Sequence, residues 1–348
     1  MKSGPPKAPG RVLVVRLGAI GDVANALVFA SALKAARPDL HLGWAVHDLA
    51  HPLVEGHPDV DRAHLWRRAS GLAGFRELVA ELRAERYDLV VDLQRMLKSA
   101  ALARAVRAPR TLGYDRRRAK EGSWILHRER IAPRDPEAHM VEHYLEFAAH
   151  LGAPGPAIHR LPTDLAAEQN AKRRVAELGG APILVQLGAT KLANRWPAER
   201  FGQLAARLTE LGPVCLSGGP GDRELADRAL AVIPPGAQVH DLVGATNLPE
   251  FISLARRSRV FVGCDTGPMH LAASVGLPVV ALFGPANPRR TGPYGWWLPN
   301  SQHRVLRAEL PCSPCGARLC KRNPAEGPKD QCMTDLTVDQ VLRILKEP

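Results

Sequence analysis

The chain has 348 residues, of which 45% are apolar, 24% charged and 5% aromatic. This length is typical of two domains of ordinary size, each with enough apolar residues for a core. The formal net charge of +12 suits an anionic partner: a nucleic acid, an anionic membrane surface or a phosphorylated glycolipid. No recognition helix, RNA-binding signature or zinc-finger pattern is present, which argues against nucleic acid. A scattered, solvated basic surface is the alternative explanation.

The start of the chain and its apolar runs bear on location. Residues 1–10 (MKSGPPKAPG) have no apolar segment of the kind found in a signal peptide, so we expect a flexible tail there. No apolar run approaches the roughly 18 residues that a membrane-spanning helix needs. We therefore expect a cytoplasmic protein.

The fold begins with an apolar strand over residues 12–16, a tight loop from Gly18 to Gly21, and a helix that Asp22 opens. The loop lacks both the G-x-G-x-x-G pattern and the Walker lysine, so neither dinucleotide nor P-loop chemistry is indicated. Asp22 is either the N-cap of the helix or a carboxylate at a ligand site.

Strands and helices alternate through the first half of the chain, which predicts an α/β fold with a doubly wound parallel sheet. Three polar residues follow the predicted strand at 87–93, namely Gln94, Arg95 and Lys98. They are placed to meet a phosphate or a carboxylate, although an exposed loop explains them equally well. After a linker that starts at Gly152, a helix at 168–178 and a strand at 182–187 open a second series with the same plan.

The stretch from Arg259 to Pro285 predicts a βαβ unit: a strand, a helix capped by Thr266 and Gly276, and a second apolar strand. Ligands of parallel sheets bind outside the carboxyl ends of the strands, where a helix N-terminus attracts anions. A phosphate-binding site is therefore predicted at Asp265, Thr266, Gly267 and His270. An ordinary capped helix with a buried histidine is the alternative.

The same stretch carries a family resemblance. DTGPMHLAA, followed by GLPVVALFGP, resembles the signature of the ADP-heptose:lipopolysaccharide heptosyltransferase family. The resemblance implies a GT-B fold, with two Rossmann-like doubly wound domains that face a central cleft. It places the acceptor-binding domain at 11–165 and the nucleotide-sugar-binding domain at 166–334. The terminal helix, 335–348, is expected to pack back on the first domain.

Site residues follow from the resemblance position by position. Asp22, in the Gly-x-x-Gly-Asp segment, matches the proposed general base, and Gln94, Arg95 and Lys98 are expected to bind the acceptor. The loop and helix start of the βαβ unit match the binding site of the donor pyrophosphate in the family. Their residues are Asp265, Thr266, Gly267 and His270. The remaining residues expected to bind the donor are Thr190, Lys191, Arg195, Asp222, Glu224 and Thr246.

One position departs from the family pattern. The segment GATKLANRWPAERF matches a second signature, in which a lysine usually stands two residues before the tryptophan. This chain has Asn194 there. Either Lys191 or Arg195 is expected to supply the missing charge beside the pyrophosphate.

Four cysteines lie close together near the end of the chain: Cys312, Cys315, Cys320 and Cys332. Their spacing favours a structural zinc or iron site, because thiolate clusters in a reducing compartment more often bind metal than form disulfides. Disulfides and free thiols remain open. Cys215 and Cys264 lie in predicted strands and are expected to be core residues.

The resemblance implies an inverting transfer of heptose from ADP-heptose to the inner core of lipopolysaccharide, without a cofactor for catalysis. The acceptor would lie at the inner membrane, so a peripheral association is expected. Two alternatives remain: transfer of heptose to a protein, as in autotransporter modification, and a non-catalytic GT-B binding subunit.

Overall fold

The computed structural model describes residues 9–323 and 329–346. Most of the predicted tail, residues 1–8, lies outside these ranges. The chain divides into two compact units, Met1–Pro162 (unit 1) and Thr163–Pro348 (unit 2). Among the described residues, no helix is both long and apolar enough to cross a membrane.

Unit 1 is built on a sheet of six parallel strands in the order β3-β2-β1-β4-β5-β6. The strands are β1 (Arg11–Val15), β2 (His41–His47), β3 (Arg62–Trp66), β4 (Leu89–Asp92), β5 (Arg110–Gly113) and β6 (Glu129–Arg130). The helices are α1 (Ile20–Ala36), α2 (His51–Val54), α3 (Gly71–Ala84), α4 (Leu97–Val106) and α5 (Met140–His150). The central strand β1 is apolar and almost wholly buried, as parallel strands covered on both faces require.

Unit 2 repeats this plan, with six parallel strands in the order β12-β11-β10-β7-β8-β9. The strands are β7 (Ile183–Gln186), β8 (Val214–Ser217), β9 (Val239–Asp241), β10 (Val260–Cys264), β11 (Val279–Phe283) and β12 (Arg304–Arg307). The helices are α6 (Leu165–Glu177), α7 (Ala198–Leu208), α8 (Arg223–Leu230), α9 (Leu248–Ala255), α10 (Gly267–Ser274), α11 (Pro288–Thr291), α12 (Gln331–Thr334) and α13 (Val338–Lys346).

The terminal helix α13 packs within unit 2, against α7 and β11. Its residues Val341 and Leu342 belong to the same buried cluster as the strand residues of the sheet. The indole nitrogen of Trp196 donates a hydrogen bond of 2.9 Å to the carbonyl of Leu336. This bond connects the segment before α13 to the segment before α7. The helix α13 is therefore an integral part of the core of unit 2.

Both sheets have the strand order of a Rossmann fold, counted within each unit as 3-2-1-4-5-6. In such a sheet, ligands bind outside the carboxyl ends of the strands where the winding changes direction. That point lies between β1 and β4 in unit 1, and between β7 and β10 in unit 2. The loops after these four strands are therefore where binding residues are expected.

Candidate active site

Asp22 lies in the loop-to-helix segment after β1, on the first turn of α1. The residue at the N-cap position is Ala19, and Asp22 is the third residue of the helix. The interpretation of Asp22 as an N-cap is therefore wrong. Its carboxylate instead pairs with the guanidinium of Arg16, with Oδ2 and Nη2 2.5 Å apart.

The ion pair has one buried and one accessible partner. The side chain of Arg16 is 6% exposed, whereas that of Asp22 is 44% exposed. Burial opposes the charge of Arg16, but Asp22 and the neighbouring Tyr144 outweigh it, so the pKa of the guanidinium is raised. Arg16 is thus a fixed cation that orients Asp22 and leaves part of the carboxylate open to solvent.

Gln94 and Arg95 follow β4, and the side chain of each contacts another segment of unit 1. The Oε1 atom of Gln94 accepts a hydrogen bond from the amide of Leu17 over 2.7 Å, so Gln94 joins the loops after β1 and β4. Arg95 has a positive φ of 70°, and its guanidinium lies 5.6 Å from the ring centroid of the buried Tyr114. Both residues therefore lie at the predicted ligand-binding edge.

Lys98 lies in the first turn of α4, and its ammonium is held by residues at the ends of two other strands. Its Nζ is 3.2 Å from Nε2 of His47 and 4.0 Å from the ring centroid of Trp66. His47 is not among the predicted site residues, although a histidine at the carboxyl end of a largely apolar strand is a signal for this edge of the sheet. The contacts bring the ends of β2 and β3 to the same corner as Lys98.

In unit 2, Thr266 occupies the N-cap position of α10, as predicted, and Gly276 follows the helix with a positive φ of 78°. The Thr266 side chain makes no capping hydrogen bond, however. Its Oγ1 atom is buried and has no hydrogen-bond partner among the described residues. His270 is buried on this helix, with Nε2 4.0 Å from Oδ1 of Asp265.

The loop after β7 meets the loop after β10 through Asn194. Its Nδ2 donates to Oδ2 of Asp265 over 3.2 Å, and the residue is 3% exposed. The Nε of Arg195 donates to the carbonyl of Ala189 over 2.9 Å, so its guanidinium is anchored beside this loop. Lys191 precedes the 3-10 turn Leu192–Asn194 and is half-buried.

The other predicted donor residues follow the carboxyl ends of β7, β8 and β9. Thr190 is exposed, and Glu224 is exposed in the first turn of α8. Asp222 is half-buried, and its Oδ2 accepts a hydrogen bond from the amide of Gly219 over 2.9 Å. Thr246 is half-buried and directly precedes Asn247, the N-cap of α9.

The four clustered cysteines line one small cavity of about 30 Å³, together with Ala193 and Pro285. Cys312 and Cys315 are exposed, and Cys320 and Cys332 are half-buried. Burial, and then the neighbouring thiols, raise the pKa of Cys332 to about 11. The four cysteines therefore lie in the same part of unit 2.

The predicted metal centre is not supported by the positions of these side chains. Among residues 9–323 and 329–346, no group of three or more histidine, cysteine, aspartate or glutamate side chains is arranged to hold a metal ion. The other two cysteines, Cys215 and Cys264, are fully buried in strands, as predicted, and burial raises the pKa of Cys264 to about 12.

Two Rossmann-type units, each with charged and polar residues at its switch point, are the architecture of glycosyltransferases with the GT-B fold. Residues 75–326 match the family model described as glycosyltransferase family 9 (heptosyltransferase). The chain is 32% identical to lipopolysaccharide heptosyltransferase 1 of Pseudomonas aeruginosa, over 95% of this chain and 93% of that relative. The chain therefore belongs to glycosyltransferase family 9, the heptosyltransferases.

Solved structures share this fold. A glycosyltransferase family 9 protein from Veillonella parvula is similar with a TM-score of 0.81 and 22% identity, over 97% of this chain and 96% of that chain. ADP-heptose lipopolysaccharide heptosyltransferase II of Escherichia coli is similar with a TM-score of 0.77 and 26% identity, over 96% and 97%. The likeness extends over both units.

Proposed function

We propose that this protein is an inverting glycosyltransferase that moves heptose from ADP-heptose to the inner core of lipopolysaccharide. The observation that carries the proposal is the accessible carboxylate of Asp22, held by the buried Arg16 at the carboxyl end of β1. A carboxylate fixed on one side and open on the other is suited to accept a proton from a bound hydroxyl group.

Asp22 would act as the general base. As the acceptor oxygen attacks the anomeric carbon, its proton passes to the carboxylate of Asp22, and a new glycosidic bond forms. The bond between that carbon and the diphosphate oxygen breaks, and ADP leaves with the electron pair. Attack from the face opposite the leaving group inverts the anomeric configuration. General-base assistance of this kind contributes about 10²–10⁴-fold to the rate.

Unit 2 would hold the donor. The N-terminus of α10, with Thr266 and Gly267, offers amide groups and a positive dipole end to the diphosphate. The cations that would stabilise departing ADP are Arg195 and Lys191, because Asn194 carries no charge. We also propose the following residues as donor contacts: Thr190, Asp222, Glu224, Thr246, Asp265 and His270.

Unit 1 would hold the acceptor through Gln94, Arg95 and Lys98. The ammonium of Lys98 has no carboxylate within 4.0 Å among the described residues, so its charge is not neutralised by an ion pair. The inner core of lipopolysaccharide is anionic and would bind such a cation. This agrees with the net charge of +12, which also favours a peripheral contact with an anionic membrane surface.

We also keep the structural zinc or iron at Cys312, Cys315, Cys320 and Cys332 as a hypothesis. Its support is that all four thiols line one cavity and that three of them raise the pKa of the fourth. Thiolates are the usual ligands of zinc and iron, and the positive charge of a bound ion would offset the cost of deprotonating neighbouring thiols. No catalytic step depends on this site.

Donor and acceptor selectivity test the proposed function. The purified protein should release ADP from ADP-heptose in the presence of a lipid A–core acceptor that lacks heptose, and it should be much slower with other nucleotide sugars. Heptose found only on a co-expressed protein would favour protein heptosylation instead. Tight binding of ADP-heptose without turnover on any acceptor would identify a non-catalytic subunit.

A further inference from the structure

We propose that His47 is a positioning residue for the acceptor: it holds the ammonium of Lys98 in place through a hydrogen bond that only the neutral imidazole can make. This inference rests on the proposed role of Lys98 in binding the acceptor anion. It adds a residue from a third strand to the site, and it makes acceptor binding depend on pH.

Two contacts fix the imidazole ring. Its Nδ1 lies 2.7 Å from the carbonyl oxygen of Trp66, and its Nε2 lies 3.2 Å from Nζ of Lys98. The ring of His47 also packs against that of Trp66, with centroids 5.1 Å apart. His47 is 6% exposed, so the ring has little freedom to turn away from either contact.

The chemistry of the two partners determines where the proton lies. A backbone carbonyl only accepts hydrogen bonds, so Nδ1 must carry the hydrogen. An ammonium only donates, so Nε2 must offer its lone pair to Lys98. His47 is therefore neutral and protonated at Nδ1. A second proton at Nε2 would remove the hydrogen bond and place two positive charges against each other.

The charged groups around His47 come from three segments. Lys98 approaches from α4, Arg68 from the segment after β3, and Asp48 is the next residue in the chain. The carboxylate of Asp48 already accepts a hydrogen bond from the amide of Arg68 over 3.0 Å. Among the described residues, Lys98 and Arg68 thus act on the ring as cations, and the carboxylate of Asp48 also accepts a hydrogen bond from the backbone.

This environment favours the neutral ring. Burial first, and then Lys98 and Arg68, lower the pKa of His47, while the Trp66 carbonyl and Asp48 oppose the shift. The folded pKa is thus below the ordinary value of about 6.5. Above it the imidazole holds Lys98, and as the pH falls through it the imidazolium forms and releases Lys98.

Substituting His47 by asparagine or by glutamine tests the two ring nitrogens separately, because each amide replaces one of them. In His47→Asn the amide matches Nδ1 and retains the contact with Trp66, but nothing reaches Lys98. In His47→Gln the amide matches Nε2 and can still accept from Lys98, without titrating. His41→Asn is the matched control, because His41 lies at the opposite end of the same strand.

Steady-state kinetics should distinguish these variants. His47→Asn should raise the acceptor KM about tenfold, the size expected for one charge-assisted hydrogen bond, with little change in the donor KM. His47→Gln should recover most of that loss, and His41→Asn should show none. As the pH falls through the lowered pKa of His47, the acceptor KM of the wild type should rise relative to that of His47→Gln.

A double mutant tests whether His47 acts through Lys98. Lys98→Met should raise the acceptor KM more than His47→Asn does, and adding His47→Asn to it should change nothing further. Independent, additive effects would overturn the proposal. An unchanged acceptor KM in a well-folded His47→Asn protein, or equal losses in both KM values with a lower Tm, would also overturn it.

The contact can also be tested without turnover. In NMR of protein labelled with 15N-histidine, the wild-type His47 should appear as the Nδ1-protonated tautomer, and Lys98→Met should raise its pKa. If the wild type transfers no heptose, the proposed function fails, and this titration still decides whether His47 and Lys98 are coupled. An unchanged His47 pKa in Lys98→Met would contradict the coupling.

Discussion

The side-chain amide of Asn194 donates a hydrogen bond to the carboxylate of Asp265 over 3.2 Å, and this bond joins the loops after β7 and β10. A carboxylate only accepts hydrogen bonds, so the nitrogen of Asn194 must face Asp265. Two segments that are far apart in sequence are thus held together at the switch point of unit 2. The position where the family usually has a lysine therefore carries a neutral link between loops.

Loss of this link should weaken donor binding. Asn194→Ala leaves Asp265 without the amide donor and frees the loop that carries Lys191 and Arg195. We expect the Kd for ADP to rise about five- to tenfold, as measured by isothermal titration calorimetry. Asn170→Ala, on the exposed face of α6, is the control and should bind ADP like the wild type. Equal ADP binding by Asn194→Ala would exclude a role for the link.

Thr266→Val should separate ligand binding from stability. The Oγ1 atom of Thr266 is buried without a partner among the described residues, so its hydroxyl makes no contribution that valine would lose. We expect the Tm without ligand to stay the same or rise. The stabilisation that ADP confers should shrink, because the hydroxyl would no longer meet the diphosphate. A lower Tm with intact ADP stabilisation would show that the hydroxyl serves the fold.

His303 should make unit 2 sensitive to acid. Burial, and then Arg304, lower the pKa of His303 to about 4. Because the unfolded chain binds this proton near pH 6.5, stability from the neutral ring is fully present above that pH. As the pH falls towards 4, the free energy of unfolding loses this contribution, which amounts to up to about 3 kcal/mol. The free energy of unfolding of His303→Leu should fall less than that of the wild type over this range. Parallel curves for the two proteins would contradict the assignment.

Elemental analysis tests the cysteine hypothesis. Protein purified without added metal should contain close to one zinc or iron per chain, and Cys312→Ser with Cys315→Ser should remove it. Serine at the two core cysteines, Cys215 and Cys264, is the matched control and should leave the metal content unchanged. Metal-free protein with four freely reactive thiols would refute the metal site.

Strands are predicted most accurately from the sequence where glycine, proline or a charged residue stands at each end of an apolar run. The predicted βαβ unit between Arg259 and Pro285 is present as β10, α10 and β11, because Asp265, Gly276 and Pro278 mark the ends of its apolar segments. The edge strand β12 was missed, since its four residues begin and end with arginine and are only half-buried. Short edge strands gain their structure from pairing with a neighbour, which no local pattern reveals.

The contacts within the site were less accessible to sequence reasoning. The motif singles out Asp22, but no pattern indicates its partner Arg16, which lies at the end of the predicted strand 12–16. The contact between His47 and Lys98 joins residues 51 positions apart. Their proximity follows from the order of the strands, because β2 lies beside β1 and the carboxyl ends of parallel strands share one edge.

The most direct test of the central claim is heptose transfer from ADP-heptose to a heptose-free lipid A–core acceptor, measured for the wild type and for Asp22→Asn. The asparagine can still accept a hydrogen bond from Arg16 but takes up no proton. Wild-type protein should form a product with inverted anomeric configuration. Asp22→Asn should be slower by at least about a hundredfold while ADP binding is retained, and Asp39→Asn, beyond the other end of α1, should be unaffected. Full turnover by a folded Asp22→Asn protein, or no transfer by the wild type, would contradict the claim.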